Sequence, residues 1–130
     1  MSRSSINPTT WSLEFGFDQG VLTESPERFL HCSGQTAVDE RGEPRHPGDM
    51  QAQLGLVLDN LAAVLGAAEM RYEDVVRLMI FTTDVEQLLE HHALIEERFP
   101  PGIRPASTLL GVAALAIPEL LVEIQATAAR

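Results

Sequence analysis

Apolar residues recur with helical spacing through the middle of the chain. Between Pro47 and Met70 they fall at i, i+3, i+4 and i+7, which places them on one face of a helix of about five turns. The stripe consists of Met50, Leu54, Val57, Leu58, Leu61, Val64, Leu65 and Ala68. Pro47 near its start is compatible with a first helical turn, where the backbone N–H lacks an intrahelical partner. The pattern predicts a long amphipathic helix that packs on a core.

A second helix is predicted after Thr83. Asp84 suits the N-cap, and Gln87 three residues later gives a variant of the capping box. Pro100-Pro101-Gly102 marks the end of the helix. The apolar positions between these signals are Val85, Leu88, Leu89, Ile95 and Phe99.

The remaining patterned segments are typical of strands. "LLVEIQATA" sets Leu120, Val122, Ile124 and Ala126 against Leu121, Glu123, Gln125 and Thr127. "RFLHCSGQ" alternates in the same way, and "VVRLMIFTTD" and "STLLGVA" are apolar on both faces. "WSLEFGFDQGVLTE" is interpreted as an N-terminal hairpin with Trp11, Leu13, Phe15 and Phe17 on one side. The order β-β-β-α-β-α-β-β predicts one α+β domain over residues 1–130.

Two helices can cover only one face of such a sheet. The strands that are apolar on both faces therefore need a second cover, and another copy of the sheet would supply it. We expect a homo-oligomer, with Glu123, Gln125 and Thr127 near a subunit boundary. A carboxylate at that boundary needs a partner, water or a ligand.

Composition narrows the function classes. The formal charge is −10, and all nine basic residues are scattered arginines, so nucleic acid is not an expected partner. The chain has no lysine that could form a Schiff base, so covalent pyridoxal-phosphate chemistry is not expected. Cys32 is the single cysteine and is expected to pack under the first helix as a small hydrophobic group. No membrane span or secretory signal is predicted, and a cytoplasmic protein is the default expectation.

Four segments together resemble the reactive intermediate deaminase family (RidA, also called YjgF). They are "HCSGQTAVDERGEPRHPGDMQAQ", "NLAAVLGAAEMRYEDVVRLMIFTTD", "RPASTLLGV" and "LLVEIQATA". The resemblance implies a chorismate-mutase-like fold, with a sheet that carries two helices on one face and packs as a homotrimer. It implies pockets between subunits in which enamines and imines are hydrolysed to carbonyl compounds and ammonia. No metal or organic cofactor is implied.

The resemblance also implies site residues. Glu123 matches the glutamate that handles the attacking water, and Ser33 with Gly34 belongs to the pocket-lining Ser-Gly-Gln motif. Ser107 occupies the position of the arginine that binds the substrate carboxylate. The remaining pocket positions are Leu109, Phe17 and His92, the last where the archetype has an asparagine. The missing arginine predicts a substrate other than the archetypal 2-imino acids.

Each of these assignments has a structural alternative. Glu123 either serves the chemistry or only accepts hydrogen bonds at a subunit interface, and Ser107 either contacts a ligand or begins a strand. His92 either lies at the pocket edge, where it could pair with Glu123, or is a packed helix residue. For Arg104 a surface or interface salt bridge is favoured over replacement of the missing arginine.

Other chemistries fit the chain less well. His31 and Cys32 point to opposite strand faces, and His91 and His92 diverge on a helix, so no metal site is predicted. The acidity disfavours a nuclease or translation inhibitor. The main alternative to a hydrolase is a trimer that binds a small metabolite without catalysis.

Overall fold

Most elements lie where the sequence pattern predicts them, in a computed structural model that describes residues Met1–Arg130. The strands are β1 (Ser2–Ile6), β2 (Gly20–Glu24), β3 (Phe29–Thr36), β4 (Val75–Thr82), β5 (Ala106–Gly111) and β6 (Val122–Ala129). The α-helices are α1 (Met50–Ala67), α2 (Val85–Glu90) and α3 (Ala93–Glu96), and 3-10 turns occupy Trp11–Phe15 and Tyr72–Asp74. The chain is thus an α+β domain, as expected.

Four strands form a mixed sheet in the order β3-β6-β4-β5, and β1 pairs with β2 in a separate two-stranded sheet. The β4–β5 pair is parallel, because the chain crosses over through α2 and α3 between them. The β3–β6 and β4–β6 pairs are antiparallel. The parallel pairing brings the start of β5 beside the middle of β4, which sets the position of Ser107.

The core lies between α1 and one face of this sheet. The predicted stripe faces it, and its fully buried members are Met50, Leu54, Val57, Leu58, Leu61 and Leu65. The sheet contributes Leu78, Ile80, Ile124 and Ala126 from alternate positions of β4 and β6. Asp49 caps α1, so Pro47 precedes the helix instead of opening it. By length and composition α1 could cross a membrane, but its apolar stripe packs in the core.

The N-terminal hairpin was predicted wrongly in its first strand. The strand that pairs with β2 is β1, and Trp11–Phe15 forms a 3-10 turn that ends at Gly16 with φ of 77°. Pro8 lacks the N–H that would continue a ladder, and the chain turns away after β1. The aromatic residues of this segment, Trp11, Phe15 and Phe17, therefore line a cleft instead of one face of a strand.

The second helix is also shorter than predicted. The Asp84 side chain accepts a hydrogen bond from the backbone N–H of Gln87, which confirms the cap. The α-helix ends at Glu90, and the chain passes through His91 and His92 into the single turn of α3. Leu88 before the break and Ile95 after it are both buried. The apolar residues therefore still pack in the core, although the helix is interrupted between them. Histidine is a weaker helix former than leucine or glutamate.

Two polar motif residues hold loops onto this core. Gln53 is buried; its Nε2 donates to the carbonyls of His46 and Glu119, at 3.1 and 2.8 Å, and its Oε1 accepts from Leu121 N at 2.8 Å. Asn60 Nδ2 donates to the carbonyls of Thr36 and Val38. The Gln53 contacts join the start of α1 to the entry of β6, the strand that carries Glu123.

We expect Gln53→Leu to destabilise the protein, because it leaves backbone groups at the entry of β6 without their partner. Each buried group left unpaired costs roughly 1–3 kcal/mol. Urea unfolding should reveal this loss. Gln51→Leu on the exposed side of the same helix is the matched control, with an expected change within about 0.5 kcal/mol. Equal effects of the two substitutions would contradict the assigned role of Gln53.

A second polar anchor lies at Asp18, whose side chain is only 1% exposed. Its carboxylate accepts hydrogen bonds from Ser5 Oγ at 2.6 Å, Asn7 Nδ2 at 2.9 Å and Arg104 Nε at 3.2 Å. Its backbone N–H donates to the Pro105 carbonyl at 2.9 Å. These contacts fasten the N-terminal hairpin to the entry of β5.

Asp18 should make stability depend on pH. Burial raises its pKa, but the hydrogen bonds from Ser5 and Asn7 and the hydrogen bond and charge of Arg104 outweigh burial, so the pKa lies below the ordinary 3.8. The ionised form is therefore favoured in the native state, and its stabilisation is present above the ordinary value and lost as the pH falls through the folded-state pKa.

We expect Asp18→Asn to lower the free energy of unfolding by roughly 1–3 kcal/mol at neutral pH. The difference from wild type should shrink as the pH falls below 3.8. Asp59→Asn removes an exposed pair with Arg98 and should cost less than about 1 kcal/mol. A difference for Asp18→Asn that stays constant across the acid range would refute the linkage.

Candidate functional site

A cleft of about 630 Å³ opens between the Trp11–Phe15 turn, the α2–α3 segment and β5. Four residues implied by the family resemblance line it together: Phe17, His92, Ser107 and Leu109. They come from three separate parts of the chain. The structure therefore brings together four of the seven predicted site residues.

Strand register explains why Ser107 and Leu109 face this cleft. Ser107 is paired with Leu78 and Leu109 with Ile80 across the parallel β4–β5 ladder. Leu78 and Ile80 point into the core under α1, and directly paired residues share a sheet face. β5 is an edge strand of the sheet. The side chains of Ser107 and Leu109 therefore lie at the border of the core and line the cleft.

The other predicted residues lie on the opposite sheet face. Glu123 is paired with Phe81 of β4 and Thr36 of β3, while its neighbours Val122 and Ile124 are buried in the core. Glu123 therefore points to the face that no helix covers. Within one protomer it does not meet His92, so the suggested Glu123–His92 pair is not formed within a subunit.

Ser33 and Gly34 form a β-bulge beside Glu123. Cys32 is paired with Ala126 and Gln35 with Ile124, so two residues of β3 oppose the single residue Gln125. A Cβ added at Gly34 would overlap the Glu123 carboxylate. Because Gly34 has no side chain, the Glu123 carboxylate can lie directly against the backbone of β3.

The Glu123 carboxylate is half-buried and forms no ion pair within the protomer. The same face carries a smaller cavity of about 150 Å³, lined by Arg77, Met79, Gln125, Ala126 and Thr127. This face is apolar at its margins, where Phe29 is 56% and Leu110 45% exposed. The uncovered face of the sheet therefore carries both the Glu123 carboxylate and apolar surface that a second molecule can cover.

The cleft on the helix side has an acidic rim. Glu14, Glu90 and Glu96 contribute carboxylates, and none of the nine arginines lines it. His92 Nδ1 lies 3.4 Å from Glu96 Oε2, four residues along the chain. Ser107 contributes a hydroxyl to the wall of the cleft. The cleft thus offers a hydroxyl, an imidazole and carboxylates, but no guanidinium.

Sequence reasoning missed several cleft residues. Trp11 and Phe15 were assigned to a strand, and Leu89 to a packed helix face, yet they are 57%, 54% and 55% exposed. The pattern gives no signal for them, because exposure of apolar groups depends on the turn and on the helix break. The i, i+4 spacing of His92 and Glu96 was available as a clue.

The remaining candidates have structural roles. The Arg104 ion pair is confirmed, but its partner is the buried Asp18 and not a surface group. Cys32 is 4% exposed within the core cluster, as predicted. Burial raises the pKa of its thiol, which disfavours the reactive thiolate. His31, its neighbour, lies exposed on the other face.

Comparisons with known proteins agree with this architecture. A family model described as Endoribonuclease L-PSP matches residues 15–130. Protein DfrA of Myxococcus xanthus is 35% identical over 116 residues, which cover 88% of this chain and 87% of that protein. Protein mmf2, mitochondrial, of Schizosaccharomyces pombe is 32% identical over 108 residues, with 83% and 81% covered.

Solved structures extend the likeness over the whole chain. The protein YyfB of Yersinia pestis, described as a member of the conserved Rid protein family with unknown function, is 39% identical. It superimposes with a TM-score of 0.89 over 100% of both chains. Rv2704 of Mycobacterium tuberculosis, described as a YjgF/YER057c/UK114 family member, is 28% identical with a TM-score of 0.67, over 99% of this chain and all of that one. The chain therefore belongs to the RidA/YjgF family, which confirms the resemblance of its motifs.

Proposed function

We propose that the protein hydrolyses a reactive C=N compound, an imine or enamine, to a carbonyl compound and ammonia, with Glu123 as the proton-handling residue. The observation that carries this proposal is the half-buried Glu123 carboxylate, which lies against the Gly34 bulge without an ion-pair partner. A carboxylate in such a setting is free to accept a proton from water.

The reaction needs only water and proton transfers. An enamine first becomes the imine by gaining a proton on carbon and losing one from nitrogen. The water oxygen forms a bond to the imine carbon while Glu123 accepts one of its protons, and the C=N electron pair moves to nitrogen. The proton held on Glu123 and a second proton then bind to that nitrogen, which makes ammonia a leaving group. Loss of the remaining hydroxyl proton then forms the carbonyl as the C–N bond breaks. Ser33 and Ser107 supply hydroxyls that can orient the polar groups of the substrate.

We further propose that the complete pocket lies between subunits of a homotrimer. Glu123, Ser33 and Gly34 lie on the uncovered face, whereas Ser107 and His92 lie in the cleft on the other side of the sheet. Packing the uncovered face of one subunit against the cleft edge of the next would join the two halves. It would also cover exposed apolar groups such as Leu110. We place this trimer in the cytoplasm, although one relative is named as mitochondrial.

A non-catalytic trimer that binds a small metabolite is the second candidate. The observation that favours it is Ser107, which stands where the archetype has its substrate-binding arginine. A hydroxyl cannot give the bidentate, charge-assisted contact of a guanidinium. The two candidates share the pocket and differ only in whether bound ligand is turned over.

The hydrolase predicts a strong effect of Glu123→Gln, which keeps the shape of the side chain and removes its ability to take a proton. Turnover of imines generated in situ, both 2-iminobutanoate and imines without a carboxylate, should fall by roughly 10²–10⁴-fold for each substrate that the wild type accelerates. Ammonia release is the readout. Glu119→Gln, at an exposed position outside both half-sites, should leave turnover unchanged.

Unchanged turnover in Glu123→Gln would remove Glu123 from the mechanism. Failure of the wild type to accelerate any substrate in the panel would reject the hydrolase and favour the binding protein.

The shared pocket predicts complementation between two inactive variants. Glu123→Gln damages one half-site, and Ser107→Trp fills the cleft of the other. When the two are unfolded together and refolded as an equal mixture, random assembly gives about a quarter of the sites with both halves intact. Activity should therefore reappear in the mixture, with a trimer mass by light scattering. A monomer, or a mixture as inactive as its components, would refute the intersubunit site.

A further inference from the structure

The helix-side cleft has a charge and a lining that fit a cation with an apolar body. We propose that it selects ligands that carry a protonated amine or iminium group on an aromatic or aliphatic frame, and that it discriminates against carboxylates. This preference, taken as one for substrates, rests on the proposed hydrolase function and specifies the substrate class of that site. The binding preference itself does not require that the site be catalytic.

The first support is an aromatic corner. The rings of Trp11 and Phe17 lie edge-to-face with centroids 5.6 Å apart at 81°, and Phe15 lies 6.4 Å from Trp11 at 62°. All three line the cleft. Trp11 and Phe15 are more than half exposed, so ring surface is available to a ligand. Such rings attract ammonium groups as well as apolar groups.

The second support is the set of carboxylates around this corner. Glu96 is held in place because Gly16 leaves room for it; a Cβ at that glycine would overlap its carboxylate. Glu14 and Glu90 line the same cleft. In the proposed trimer, Glu123 of the neighbouring subunit would add a further negative charge. An anionic ligand would therefore meet repulsion from several sides.

The third support is that no arginine lines the cleft. Arg104, the arginine closest in sequence to Ser107, is paired with Asp18, and Arg98 is paired with Asp59. The histidine in the cleft, His92, already contacts Glu96. A bound cation would supply the missing positive charge. An iminium is such a cation, and its carbon is also more electrophilic than that of a neutral imine.

Trp11 makes the proposal directly measurable, because it is the single tryptophan of the chain and lines the cleft. Tryptophan fluorescence should be titrated with three probes that share one frame: 3-phenylpropylammonium, 3-phenylpropanol and 3-phenylpropanoate. We expect affinity to fall in that order, with at least about a tenfold difference between the ammonium and the carboxylate. Added salt should weaken ammonium binding and leave binding of the alcohol nearly unchanged.

Two variants test the origin of the preference. The triple substitution of Glu14, Glu90 and Glu96 by Gln should reduce ammonium affinity roughly tenfold with little effect on the alcohol. The control carries Glu86→Gln and Glu97→Gln, at exposed positions outside the cleft. Ser107→Arg should weaken the ammonium and strengthen the carboxylate. Circular dichroism checks that each variant is folded.

Equal affinity for the three probes, a preference for the carboxylate, or no binding of any probe at about millimolar concentration would overturn the proposal. The binding assay is independent of turnover. An inactive protein that still prefers the ammonium would refute the hydrolase alone, and an active hydrolase that prefers the carboxylate would refute the cation preference alone.

Discussion

The one-sided burial of the four-stranded sheet is the constraint on which the rest of the structure depends. Helix α1 covers the face formed by alternate residues of β4 and β6, and the opposite face has no helix. The open face carries large apolar groups such as Phe81 and Leu110, and exposed apolar surface of this kind is typical of a face that another molecule covers. Because alternate side chains of a strand point to opposite faces of the sheet, the candidate site residues are divided between the two faces. Glu123 must lie on the open face because Val122 and Ile124 are needed in the core.

The same alternation explains how much of the fold was accessible from sequence. The stripe of α1 and the alternation of β6 are each set by a continuous local pattern, and both were predicted with the right faces. The turn at Trp11–Phe15 and the break at His91-His92 have no matching signal in the apolar pattern. In the turn, apolar residues at every second position (Trp11, Leu13 and Phe15) have the same spacing as in a strand. At the break, Leu88 and Ile95 remain buried although the hydrogen bonding changes, so the apolar pattern could not reveal it.

The sequence supplied candidate site residues one by one but not their arrangement in space. The family resemblance implied Ser33, Gly34, Ser107, Leu109 and Glu123, and the structure places these residues on two faces of the sheet. The bulge at Ser33-Gly34 could not be read from alternation, because it shifts the phase of β3 by one residue. The acidic rim was hidden for a different reason. Glu14, Glu90 and Glu96 are typical solvent-facing glutamates until the turn and the helix break bring them to one opening.

Arg104 shows why the missing arginine cannot be replaced by a neighbour in the chain. Its guanidinium binds the buried Asp18 carboxylate, and moving it to the cleft would leave that carboxylate without its ion-pair partner. Breaking a buried pair by removing one partner costs about 3–5 kcal/mol, whereas a hydrogen bond to a charged group contributes about 1.5–3 kcal/mol. Recruitment of Arg104 by a substrate carboxylate would therefore be unfavourable. The entry of β5 thus uses its arginine for folding, and the cleft that β5 borders keeps its negative charge.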